Sequence, residues 1–95
     1  MTVRVMLTVY CYDIVRDRTR ARVARMLEQE AVRVQDSVFE IRLTQAAADR
    51  LYRRISRLLD DGDKLRMYAI GAVALPRCRS DGGAPIAGDG DYWIV

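Results

Sequence analysis

Between residues 3 and 12 the chain alternates. Val3, Val5, Leu7, Val9 and Cys11 fall on one face and Arg4, Met6, Thr8, Tyr10 and Tyr12 on the other, the period-two signature of a β-strand. Cys11 is expected on the apolar face as a core thiol. The second face is not polar as a solvated face should be: Met6, Tyr10 and Tyr12 make an amphipathic aromatic surface that needs a cover, and Tyr10 and Tyr12 are assigned to a dimer interface. From about residue 17 to 30 the period changes, with Val23, Met26, Leu27 and Ala31 on one helical stripe, Arg18, Arg22, Arg25 and Gln29 opposite, and Asp17 or Thr19 as the cap. Residues 32–43 return to strand character, as a short strand over 32–35, a turn or bulge at Asp36, and a longer strand with Ser37, Phe39, Ile41 and Leu43 on one face; one bulged strand is the alternative.

Thr44 is a suitable N-cap for a second helix whose stripe runs through Ala48, Leu51, Tyr52, Ile55, Leu58 and Leu59, with Asp49, Arg50, Arg53, Arg54 and Arg57 outside it. Asp60, Asp61 and Gly62 end that helix, and residues 64–70 form a last alternating strand with Leu65, Met67 and Ala69 inward. The order β-α-β-β-α-β is the ferredoxin-like α+β pattern, an antiparallel sheet with two helices on one face and the other face bare. Residues 1–70 make this core. Residues 71–91 hold both prolines and five of the six glycines and read as a flexible loop. The chain then ends in Tyr92, Trp93, Ile94 and Val95, four strand formers expected to pack as an extra strand on a sheet edge, their own or a partner's.

At 95 residues, 51% of them hydrophobic, this is one domain near the lower limit for folding without disulfides or a metal. The net charge of +3 is unevenly spread, since residues 1–59 hold twelve arginines against seven acids while residues 60–95 hold four basic residues against six acids. Arginine outnumbers lysine fifteen to one, which suits bidentate phosphate contacts, although a GC-rich genome would produce the same bias, so only arginine positions count as evidence. Histidine and asparagine are absent, which removes imidazole acid/base catalysis, Ser-His-Asp triads and zinc sites with His ligands. Cys11 and Cys78 form no CxxC pair, Met1 leads straight into a strand rather than a leader, and no apolar run is long enough to cross a membrane, so a reduced, cytoplasmic setting is expected.

Asp13 ends the first strand. A carboxylate there can ligate Mg²⁺, or it can merely cap a turn; a single carboxylate makes a poor Mg²⁺ site, but a dimer packed through the bare sheet face would bring two copies of Asp13 to one axis. Arg16, Arg18 and Arg20 follow at the start of the first helix, where backbone N–H groups also favour anions, so this cluster is the expected phosphate contact. The arginines of the second helix read as a solvated face. No phosphate-binding glycine loop or EF-hand is present, and residues 37–43 offer a single aromatic where an RNA-recognition module needs several.

Three segments, Tyr10-Cys11-Tyr12-Asp13-Ile14, the run from Arg20 to Leu27, and above all Arg33-Val34-Gln35-Asp36-Ser37-Val38-Phe39-Glu40, resemble the small CRISPR adaptation protein, the non-integrase subunit of the spacer-acquisition complex. The Thr44-led helix, the Leu65-Arg66-Met67-Tyr68 strand and the Tyr-x-Ile-Val ending agree in order, so the resemblance spans nearly the whole chain; Ala31 stands where many members have glycine. The resemblance implies a homodimer in which the terminal strand, with Tyr92, Trp93 and Ile94, crosses to the partner's sheet, and a role bridging integrase subunits along duplex DNA. It also implies a Mg²⁺-dependent endoribonuclease or endonuclease in which Asp13 is the metal ligand, acting on single-stranded RNA or duplex DNA. The leading expectation is a structural nucleic-acid-binding subunit of the integration complex. The nuclease is the alternative, weakened because no general base accompanies Asp13 and the nearest acid in sequence is Asp17. A small-molecule regulatory domain is disfavoured by the lack of any glycine before residue 62.

Overall fold

The computed structural model describes residues 4–86; the expected terminal strand, including Tyr92, Trp93 and Ile94, lies outside the described residues. The elements are β1 (Val5–Asp13), α1 (Asp17–Glu28), β2 (Val32–Gln35), β3 (Val38–Thr44), α2 (Gln45–Ser56) and β4 (Lys64–Ile70), followed by a single 3₁₀ turn over Leu75–Arg77. The four strands form one antiparallel sheet in the order β2-β3-β1-β4, which makes β1 and β3 central and leaves β2 and β4 as edges. The expected β-α-β-β-α-β order is found. Residues 32–44 are two strands joined by a turn at Asp36 and Ser37, not one bulged strand, and the ladder is irregular within β2, between Arg33 and Gln35.

The helices cover the sheet face that carries Tyr10, Tyr12 and Phe39. Tyr10 stands opposite Phe39 on β3 and opposite Met67 on β4, and Tyr12 opposite Leu65, so these side chains share one face and pack with Val23, Ala24 and Leu27 of α1 and Leu51 and Ile55 of α2. This corrects the assignment of Tyr10 and Tyr12 to a dimer surface, because both are buried beneath the chain's own helices. The physical reason lies in their hydroxyls, each of which finds a backbone acceptor across the core. Tyr10 donates to the carbonyl of Ala48 at 2.7 Å and Tyr12 to that of Asp36 at 3.4 Å, so the rings can be buried without an orphaned O–H. Cys11 is corrected in the same step. It lies half-buried on the opposite face, beside Arg66 of β4, and is not a core thiol. Leu65 and Met67 point inward as expected, but Ala69 is exposed.

Thr44 caps α2, accepting a hydrogen bond from the Ala47 N–H at 3.2 Å. Neither expected cap of α1 acts as one. Arg16 occupies the N-cap position without a side-chain hydrogen bond, and Thr19 turns away to donate to Asp60. On the bare face, residues 79–84 and Ile86 approach Val34, Gln35, Val38 and Glu40 of β2 and β3 and enclose a cleft with them.

Burial, reinforced by the negative charges of Asp49 and Glu30, pushes the Tyr10 hydroxyl up to about 12. Because the folded value exceeds that of an unfolded tyrosine, near 10, the contribution to stability is complete below pH 10 and is lost as the pH climbs toward 12. Urea titrations across that window should show a loss of about 2–3 kcal/mol beyond that of the Tyr10→Phe variant. Parallel curves for the two proteins would show that the hydroxyl is not held neutral by the fold.

Candidate nucleic-acid interface

Asp13 is exposed at the C-terminal end of β1, with Lys64 directly opposite on β4 and Arg66 one pair along, opposite Cys11. Side chains of paired residues share a face, so Asp13, Cys11, Lys64 and Arg66 stand on the side away from the helices, where together with Tyr12 they line a shallow cleft of about 180 Å³. Arg66 donates to the Tyr68 hydroxyl at 2.9 Å, and Tyr68 remains half-exposed on the same face. A Mg²⁺ ion does not fit a single protomer. Asp13 contributes one carboxylate facing cationic neighbours, and the described residues contain no group of three or more Asp, Glu, Cys or His side chains that could hold an ion.

The backbone after Asp13 is held by a turn that sequence patterning marks only as a helix stop. In the turn between α2 and β4, Asp63 accepts from the Asp60 N–H at 2.8 Å and from the Val15 N–H at 3.3 Å. Asp60 accepts from the Thr19 hydroxyl at 3.0 Å and lies 3.8 Å from the Arg16 guanidinium. Gly62, with φ +87°, supplies the left-handed residue that lets the two carboxylates face the α1 start. The sequence signal is a pair of aspartates flanking a glycine, with a threonine in the first turn of the other helix; only the long-range fold shows that they meet.

The three arginines expected to grip phosphate are not equivalent. Arg18 is exposed and, among the described residues, has no partner. Arg16 is largely exposed beside Asp60. Arg20 is a correction, since its guanidinium donates to the carbonyls of Ile14 at 2.9 Å and Val15 at 3.3 Å and pairs with Asp17, so it secures the loop and has little left to offer a ligand. Asp17 and Asp60 are likewise occupied, Asp17 by Arg20 and Asp60 by the Thr19 hydroxyl.

Further free cations lie on the helices. Arg22 and Arg25 of α1, Arg50 and Arg53 of α2, and Arg57 just after it are exposed and have no acidic partner among the described residues. Sequence periodicity places them outside the core but offers no reason to join the two stripes. The fold does so, by setting α1 and α2 side by side on one sheet face.

Comparison with known proteins decides the family. The model of the family described as CRISPR associated protein Cas2 matches residues 6–75, from the first strand through the last. The chain belongs to the Cas2 family. It is 40% identical over 73 residues to a CRISPR-associated endoribonuclease Cas2 of Mycobacterium tuberculosis, a match covering 77% of this chain and 65% of that protein, so it spans about two thirds of that relative's length. Among solved structures it resembles Streptococcus pyogenes Cas2 (26% identity, 81% of this chain and 100% of the other, TM-score 0.67). It also resembles a chain of a partial Cas6-RT-Cas1–Cas2 complex (27% identity, 90% and 95%, TM-score 0.73). The ferredoxin-like reading of this Cas2 chain is therefore supported by its own topology and by these neighbours. Among the described residues no helix is long and apolar enough to cross a membrane.

Proposed function

We propose that this Cas2 protein is a structural, nucleic-acid-binding subunit of a CRISPR spacer-integration complex, acting as a homodimer that holds duplex DNA and docks on the integrase subunit. The observation that carries the reading is the set of exposed arginines that answer to no acid among the described residues, Arg18 at the start of α1 foremost. Unpaired guanidiniums on a rigid scaffold repel one another, and phosphates are the partners that relieve this. Family membership and the likeness to a chain solved within a Cas1–Cas2 assembly support the partner. The bare face of the sheet, with Val9, Cys11 and half-exposed Tyr68, is the surface proposed for the second copy, and the edge of β4, unpaired among the described residues, adjoins it.

A Mg²⁺-dependent nuclease is the second reading, favoured by one observation, that Asp13 stands exposed on the bare face where a second copy would bring a second carboxylate. It ranks below the scaffold because Asp17, the nearest acid in sequence, is held by Arg20 and the chain has no histidine.

Duplex affinity measured against salt tests the first reading. If Arg16 and Arg18 of two protomers neutralise about four phosphates, log affinity against log salt should fall with a slope of roughly −4 or steeper, and duplexes of equal length but different sequence should bind alike. A slope near zero, or strong preference among such duplexes, would remove the proposal.

A further inference from the structure

The charge of this molecule is concentrated on the layer opposite Asp13. Between them α1 and α2 carry seven arginines against three acids. Arg22, Arg25 and Gln29 line one wall of an open groove of about 310 Å³ and Arg54 the other, with Met26 and Leu58 at its base. Arg22 and Arg25 have no partner among the described residues, and Arg54 is held only loosely, 4.0 Å from Glu30. Both helices are fixed from below by fully buried residues, Val23 and Leu27 in α1 and Ile55 in α2, so the guanidiniums are presented on rigid supports.

We infer that this groove is a second duplex-binding surface of the protein, gripping a phosphate backbone on the face remote from Asp13. The inference rests on the nucleic-acid reading above and assigns it a separate place. Three details favour duplex DNA. Arginine forks match phosphate oxygens two at a time and remain charged at any working pH. No aromatic side chain lines the groove, so there is nothing for the bases of a single strand to stack on, whereas a duplex needs only backbone contacts. The apolar floor is confined to two half-buried side chains, too little to anchor an acidic protein helix. A scaffold cationic on both layers can hold two duplex segments at once, one by the loop after β1 and one across the helices.

The test compares the parent with two variants, Arg22→Ala/Arg25→Ala/Arg54→Ala on the helices and Arg16→Ala/Arg18→Ala at the loop, using a fluorescent 30-base-pair duplex of arbitrary sequence over a range of salt. All five side chains are exposed, and circular dichroism confirms that each variant is folded. The parent should take up more duplex at saturation than the helix variant, and in the loop-variant background, where only the groove remains, adding the helix substitutions should weaken binding at least tenfold near 0.1 M salt, with a slope shallower by about 3. A helix variant that saturates with as much duplex as the parent, or helix substitutions without effect in the loop-variant background, overturns the second surface while leaving the proposed function standing if the loop variant loses affinity. A parent that shows no salt-dependent binding removes both. An unlabelled single strand or polyglutamate that displaces the duplex as well as unlabelled duplex does would reassign the groove to another polyanion and overturn the choice of duplex DNA.

Discussion

Replacing Phe39 by alanine is expected to cost about 3–5 kcal/mol, a large part of what a domain of this size possesses. The ring is wholly buried in β3. It stacks against Tyr12 with centroids 6.3 Å apart and planes 21° apart, and it carries the Arg33 guanidinium 5.1 Å from its centroid. Tyr10 stands opposite it across the ladder. Truncation therefore removes the apolar contact, the aromatic pair and the cation–π contact together, and leaves a cavity that the two tyrosines cannot close without leaving their backbone acceptors. Phe39→Leu, close to volume-conserving, should cost less than about 1.5 kcal/mol. Urea denaturation of both variants is the measurement. A loss of under about 1 kcal/mol for the alanine variant would mean that the core repacks freely around this position.

The second large effect separates the two functional readings. Asp13→Asn is expected to leave dimer size, duplex affinity and spacer integration within about twofold of the parent, and to remove any Mg²⁺-dependent cleavage of single-stranded RNA or duplex DNA. The carboxylate is exposed and makes no hydrogen bond or ion pair among the described residues, so its loss strands no partner. It also faces Lys64, so neutralising it makes the bare face slightly more attractive to phosphate. Both activities should be read from one preparation. Loss of integration with binding and dimerisation intact would place Asp13 in the chemistry of integration and set the nuclease reading above the scaffold.

The element order was legible because each element has one clear period. The short strand Val32–Gln35, the strand Lys64–Ile70 and the start of α1 at Asp17 lie where the pattern puts them, and Thr44 caps α2 as its hydroxyl suggests. The faces of β1 were not legible. Both are apolar, so alternation finds the strand without saying which side meets the helices, and the deciding facts are cross-strand neighbours and two distant carbonyls for the tyrosine hydroxyls. The position of Asp13 at an exposed strand end could be read locally. The fate of Arg20 could not, since a guanidinium folding back onto Ile14 and Val15 has the same sequence spacing as one reaching into solvent. The joining of Arg22 and Arg25 to Arg54 across a groove likewise depends on helix packing.

The contacts of Asp60 and Asp63 with Thr19 and Val15 span more than forty positions of chain. Residues 1–59 hold the sequence of β1, both helices and the β2–β3 hairpin, yet without the residues that follow, the segment after Asp13 lacks the carboxylates that shape it. Its geometry is completed only when the aspartate turn emerges and β4 pairs with β1. A chain that ends before that point lacks both the Asp60 and Asp63 carboxylates that hold the Asp13 loop and the Leu65 and Met67 side chains that pack against the core, so one segment finishes the outer surface and the interior together.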